Sequence, residues 1–399
     1  MYSNRMKIKM LFFAFTVSGC LTLFAGNNNQ PAWVKKGVET ATFQLKQMSA
    51  KLHNKTDKAL FPRSVKDGQI KLVDGEDWTS GFFPGSLWYA YELTGDKQLL
   101  GNARYFTNKL EPQQYFTGNH DIGFIMYCSY GNARRLSPEK KDSLILVNSA
   151  ISLTKRFFPK VGLIRSWDNE RWAFPVIIDN MMNLELLFEM SKTTGNPLYR
   201  DIAIKHADKT MENHFRKDMS SYHVVSYNPE TGKVETKETH QGYSNESAWS
   251  RGQAWGLYGY TLCYRETGDK KYLTHAKAIA SYIMNHPTMP KDKVPYWDYN
   301  APKIPNEPRD ASAGAVAASA LLELYTITGE KQYFSFAEKT LKSLSGKKYL
   351  AKAGTNHNFI LMHSVGSIPG KFEVDKPLNY ADYYYLEALK RYMDILSAR

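Results

Sequence analysis

The chain has 399 residues, 43% of them hydrophobic and 23% charged, a balance that suits a globular core and excludes gross disorder. Its formal net charge of +13 calls for an acidic partner. The lysines are scattered and no dense Arg/Lys run occurs, so nucleic acid is set aside in favour of anionic lipid or an acidic polysaccharide.

Residues 1–25 read as an export signal. Arg5, Lys7 and Lys9 lead into an apolar run from Met10 to Val17, shorter than the roughly 20 residues of a membrane span. Val17-Ser18-Gly19-Cys20 resembles a bacterial lipobox, which would put a lipid anchor on Cys20; cleavage after Ala25 is the alternative. The expected location is periplasmic or membrane-anchored as a lipoprotein. The leader holds three of the cations and no acid, so the mature charge is 13 − 3 = +10. Cys128 and Cys263 sit in apolar helical runs and read as buried fillers, and no pair of cysteines has metal-ligand spacing.

After Pro31, the stripe Val34, Val38, Ala41, Leu45 and Met48 predicts a helix. A polar loop is expected from there through Asp77. Then one pattern recurs. Apolar helical runs end at Thr94-Gly95-Asp96, Thr194-Gly195-Asn196, Thr267-Gly268-Asp269 and Thr328-Gly329-Glu330, and a second amphipathic run follows each. Glycine fits the left-handed residue that ends a helix, and the polar residue after it starts the next. A weaker fifth turn lies at Leu136-Ser137-Pro138-Glu139. Strand signals are sparse; Tyr222 to Tyr227 followed by Asn228-Pro229-Glu230-Thr231-Gly232 reads as one small β-hairpin. The predicted architecture is all-α: an (α/α)6 toroid over residues 31–399, a single domain with long loops over one mouth. An open α-solenoid is the alternative.

Two acids stand out. Asp121 in His120-Asp121-Ile122-Gly123-Phe124 and Asp179 in Ile178-Asp179-Asn180 each precede an apolar helical run. Such a pair suits general acid/base chemistry, but Asp is also a favoured helix cap, and capping alone is the default reading for each. Four other segments carry polar and aromatic groups that a plain core would not choose: Asp77-Trp78, Ser166-Trp167-Asp168, Thr239-His240-Gln241-Gly242, and Ser250-Arg251 with Gln253 and Trp255. Arg251 and Trp255 share one helical face, a cation beside an aromatic. The 8 Trp and 26 Tyr either stack on sugar rings or fill gaps between helices.

Asp77 to Gly85, His120 to Phe124, Ile178-Asp179-Asn180, His240-Gln241-Gly242, Trp249 to Gly256 and Tyr383 to Leu389 together resemble glycoside hydrolase family 88, the unsaturated glucuronyl hydrolases. The resemblance implies the (α/α)6 barrel and a 4,5-unsaturated hexuronic acid at the non-reducing end of a lyase-generated oligosaccharide. It implies hydration of the C4=C5 enol ether, with Asp179 as general acid/base protonating C4 and Asp121 as partner carboxylate. It implies pocket positions at Trp78, His120, Trp167, His223, Thr239, Gln241, Arg251 and Trp255, and requires no metal or cofactor. Some members hold a sulfate with Ser-x-x-Ser-x-Lys. Here Ser364 and Ser367 are present but the lysine is displaced to Lys371, and Lys237 precedes Thr239. The charge of the mature chain favours glycosaminoglycan disaccharides as substrate. Pectin fragments, or non-catalytic glycan binding on the same scaffold, are the alternatives.

Overall fold

The computed structural model describes residues 30–398; the export signal and Cys20 lie outside the described residues. The helix predicted after Pro31 is α1 (Ala32–Leu52). The expected polar loop instead contains a hairpin, β1 (Phe61–Lys66) and β2 (Gln69–Val73). Its two-residue turn is Asp67-Gly68, with φ of 50° and 71°. Asp-Gly between strand-like runs is a strong hairpin signal.

Helix pairs follow: α2 (Phe82–Thr94) with α3 (Lys97–Asn108), then α4 (Ile122–Met126) and α5 (Asn132–Leu136), joined by the π-helical turn Tyr127–Gly131, with α6 (Lys140–Thr154). Next come α7 (Leu184–Thr194) with α8 (Pro197–Asn213), α9 (Ser250–Thr267) with α10 (Lys270–Asn285), and α11 (Ala311–Thr328) with α12 (Lys331–Leu344). The last helix, α13 (Asn379–Ser397), packs on α1, where Gly37 faces Tyr385 so closely that no side chain would fit. The sixth pair is thus made from the two ends of the described chain.

The four Thr-Gly turns form as read. Gly95, Gly195, Gly268 and Gly329 are left-handed C-caps, with φ of 70–72°. In each, the threonine hydroxyl donates back to a carbonyl four residues earlier. Asp96, Asn196 and Asp269 then cap the helix that follows.

The first member of each pair touches the first members of its neighbours, α2 to the α4–α5 helix, then α7, α9, α11, α13 and back to α2. This is a closed inner ring, with α3, α6, α8, α10, α12 and α1 outside it. An inner helix is covered on every side, so its sequence is apolar or small all round. Residues Ser250 to Cys263 of α9 and Ala311 to Leu324 of α11 are all buried. The open solenoid is therefore excluded and the (α/α)6 toroid is observed. Cys128 and Cys263 are buried free thiols.

The remaining strands sit in the excursions between helices: β3 (Phe157–Phe158), β4 (Leu163–Ile164), β5 (Pro175–Ile177), β6 (Val224–Tyr227), β7 (Val234–Glu238), β8 (Ser364–Ser367) and β9 (Phe372–Lys376). The predicted hairpin is β6–β7, and β5 adds to it antiparallel, pairing Ile177 with Val224. That alignment brings the end of β5, the start of β6 and the end of β7 to one edge of a three-stranded sheet.

Candidate active site

The loops leading into the inner helices meet at one mouth of the toroid, around a cavity of about 240 Å³. Trp78 reaches it from before α2, Asp121 from the start of α4, Asp179 from before α7, Arg251 from α9 and Tyr380 from α13. Segments far apart in the chain therefore converge as expected.

Neither acid is used as a cap. Asp121 is the N-cap residue of α4, yet its side chain bonds to no helix N–H; Asp179 lies inside a 3-10 turn, Ile178–Asn183, also without a capping bond. Elsewhere in this fold Asp96, Asp269 and Asp310 do cap. Each of the two acids instead faces an imidazole. His120 Nε2 lies 3.4 Å from Asp121 Oδ1, and His223 Nε2 lies 3.5 Å from Asp179 Oδ2. Both distances are long for hydrogen bonds, as is common before substrate draws a site together. Asn183 joins the halves: its Oδ1 accepts from the Phe124 N–H at 2.8 Å, and its Nδ2 faces His120 Nδ1 at 3.4 Å.

The two carboxyls are driven apart. Burial, then the charges of Asp179 and Asp77, push Asp121 well above the ordinary carboxylate range. Burial would also raise Asp179, but the hydrogen bond from His223 and the charge of Arg251 outweigh it and hold Asp179 below its usual value. Burial pushes His120 down to about 4. The surroundings therefore favour the neutral form at Asp121 and the ionised form at Asp179.

Arg251 is fully buried. It donates to Asp310 Oδ2 (2.9 Å), to the Gly366 carbonyl (2.9 Å) and to the Val365 carbonyl, while its Nε has no partner. Its guanidinium stacks on Trp249 (4.5 Å) and Tyr380 (5.1 Å). The aromatic partners are thus these rings, not Trp255, which packs on Phe124 and Tyr384 behind the wall. Trp78 and Trp167 both line the cavity, and so does Gln241, which donates to the Gly366 carbonyl at 3.0 Å. The Tyr380 hydroxyl and Arg251 Nε at the cavity lack partners, while His120 Nε2 and His223 Nε2 make only the long contacts to Asp121 and Asp179. Buried polar atoms are normally paired, so this cluster of unpaired ones at one cavity marks a polar ligand.

Other expected residues stand behind or beside the walls. His120 and His223 are buried behind the acids. Thr239 shapes its loop, its hydroxyl accepting from the Gly242 N–H at 2.8 Å. Lys237 lies over the Tyr222 ring at 5.1 Å, outside the cavity. Ser364 and Ser367 are buried in β8, and Ser367 accepts from the Gly370 N–H; Gly366 between them is the wall residue. Arg63, Phe372 and Tyr380 line the cavity and were missed. Tyr380 stood three residues before a quoted motif, whereas Arg63 lay in the segment read as loop.

Residues 52–266 match Glycosyl Hydrolase Family 88. The chain belongs to this family. A relative called unsaturated glucuronyl hydrolase, from Formosa agariphila, is 48% identical over 343 residues, covering 84% of this chain and 85% of its own. Another of that name from Bacillus sp. strain GL1 is 35% identical, covering 83% and 90%. Among solved structures, an unsaturated glucuronyl hydrolase specific for heparin superposes with a TM-score of 0.89 at 55% identity, covering 92% of this chain and 98% of that one. A Streptococcus agalactiae unsaturated glucuronyl hydrolase variant in complex with dGlcA-GalNAc6S superposes with a TM-score of 0.77 at 30% identity, covering 98% and 99%. The family 88 chain is a glycoside hydrolase with the family's α/α barrel.

Proposed function

We propose that this hydrolase removes the 4,5-unsaturated hexuronic acid from the non-reducing end of lyase-generated glycosaminoglycan oligosaccharides. The observation that carries this is the pair of buried cavity carboxyls, neither used as a helix cap, each facing an imidazole. A volume of 240 Å³ is below the roughly 300–1,000 Å³ of drug-sized sites. It suits one terminal sugar with the remainder outside. Relatives named for heparin and for chondroitin disaccharides support glycosaminoglycan fragments over pectin fragments.

In this reading the sugar ring lies between Trp78 and Trp167, with its carboxylate toward Arg251 Nε. Asp179 is the general acid/base. The free site favours its ionised form, and a new negative charge nearby favours its neutral form, so substrate entry promotes proton uptake at Asp179. Asp179 then protonates C4: its O–H bond breaks, the C4=C5 electron pair forms the C–H bond, and the ring oxygen shares the charge left at C5. Water adds at C5 and returns a proton to Asp179. The hemiketal opens and the glycosidic bond breaks. A positioned acid of this kind contributes about 10²–10⁴-fold. Asp121 is the partner carboxyl beside the charge that develops at C5. The leader supports export, to the periplasm or to a lipid anchor at Cys20; the mass of the mature N-terminus tests it.

Asp179→Asn should abolish the loss of ultraviolet absorbance of an unsaturated disaccharide while binding persists. Near-normal turnover would remove Asp179 from its role.

A further inference from the structure

The loop after β7 reaches Asp179 through its main chain. The N–H groups of His240 and Gln241 both point at Nδ1 of His223, at 3.2 and 3.1 Å. A backbone N–H can only donate, so Nδ1 is the acceptor and the imidazole proton is on Nε2. A histidine tautomer is usually an assignment from side-chain networks; here two main-chain donors decide it. Nε2 is the nitrogen that faces Asp179 Oδ2, at 3.5 Å, and neither atom has another partner.

The ring cannot turn away. Trp249 lies against it at 4.5 Å, tilted by 37°, and Trp167 meets it edge-on at 6.2 Å. Its backbone is fixed to the acid's segment, because the Ile178 N–H donates to the His223 carbonyl at 3.0 Å. The loop is held in turn: the Tyr243 N–H donates to buried Asp298 at 2.9 Å, and a Cβ on Gly242 would lie 2.6 Å from the Thr239 hydroxyl.

We propose that the main chain of His240 and Gln241 locks His223 as its Nε2–H tautomer, making His223 the positioning residue of Asp179 rather than a sugar contact. This rests on Asp179 being the general acid/base. His223 is 3% exposed and forms no part of the cavity wall, so it acts on substrate through the carboxylate. The other charged or titratable groups around Asp179 are Asp121, His120, His214, His240 and Arg251. Among the described residues His223 is the one whose ring nitrogen reaches the carboxylate.

The test combines nitrogen NMR of histidine-labelled protein with kinetics of two variants on an unsaturated disaccharide. The His223 signals, identified by their loss in His223→Gln, should show the Nε2–H tautomer at neutral pH. His223→Asn keeps an oxygen for the loop's N–H groups but has no donor that reaches Asp179; its kcat should fall about 10- to 100-fold, as for loss of a hydrogen bond to a charged group, with KM unchanged. His223→Gln carries an amide N–H near the Nε2 position and should recover most of that loss. An Nδ1–H tautomer, equal impairment of both variants, or an effect on KM alone would overturn the proposal. If His223→Asn fails to fold, the wild-type spectrum still decides. An active Asp179→Asn enzyme would instead overturn the reading beneath it; an inactive one with the wrong His223 tautomer overturns this inference alone.

Discussion

Gly123, two residues after Asp121, packs directly on Asn183, four residues after Asp179: a Cβ on Gly123 would lie 2.5 Å from the Asn183 amide oxygen. The same oxygen accepts the Phe124 N–H at 2.8 Å. The two acid-bearing segments are therefore joined at a contact that admits no extra atom. Gly123→Ala should force them apart. Overpacking of this kind costs about 1–3 kcal/mol, so the variant should melt lower, and kcat should fall because the acids separate. Thermal unfolding and steady-state kinetics check both; a wild-type kcat with a lowered melting point would uncouple the contact from the chemistry.

Substrate entry should be linked to proton uptake. Asp179 is held below its usual value in the free site by groups that include His223 and Arg251, yet it must be protonated to act on C4. Affinity for a saturated uronate disaccharide, which binds without turning over, should therefore rise as pH falls. Calorimetry in buffers of different ionisation enthalpy should show protons taken up on binding. If none is taken up, the proton for C4 comes from Asp121 and the two acids exchange roles.

Arg251 ties the mouth together and lines the cavity. Its partner Asp310 is fully buried, and removing one member of a buried pair costs about 3–5 kcal/mol. Arg251→Met should lose stability on that scale and raise KM. Chemical denaturation and kinetics measure these separately; a stable variant with normal KM would contradict both roles.

The β8–β9 hairpin brings Gly366 and Phe372 to the cavity, and Lys371 lies exposed on its turn. A sulfated second sugar leaving the cavity would pass this turn. Lys371→Ala should lower kcat/KM selectively for sulfated disaccharides. An equal effect on unsulfated ones would remove the idea.

The parts of this fold written in local signals were legible. The Thr-Gly turns carry their own hydrogen bonds within a few residues, so four hairpins could be read directly. The acids could be seen but not weighed, because capping and catalysis use the same residue at the same place; the absence of a capping bond at Asp121 and Asp179 is a fact of three dimensions. His223 was expected to touch the sugar. Its true neighbours depend on β5, three residues long, crossing to pair with β6, and nothing local announces a strand that short. Arg63 was hidden for a related reason: it bonds to Asp77 and Glu373 across the mouth, and the latter lies 310 residues away along the chain.

The most direct test follows the chromophore and the leaving sugar together during one reaction on an unsaturated glycosaminoglycan disaccharide. Hydration at C4=C5 comes before the glycosidic bond breaks, so ultraviolet absorbance should vanish no later than the second sugar appears. Release of that sugar with the double bond still intact would show attack at the anomeric carbon and contradict the account.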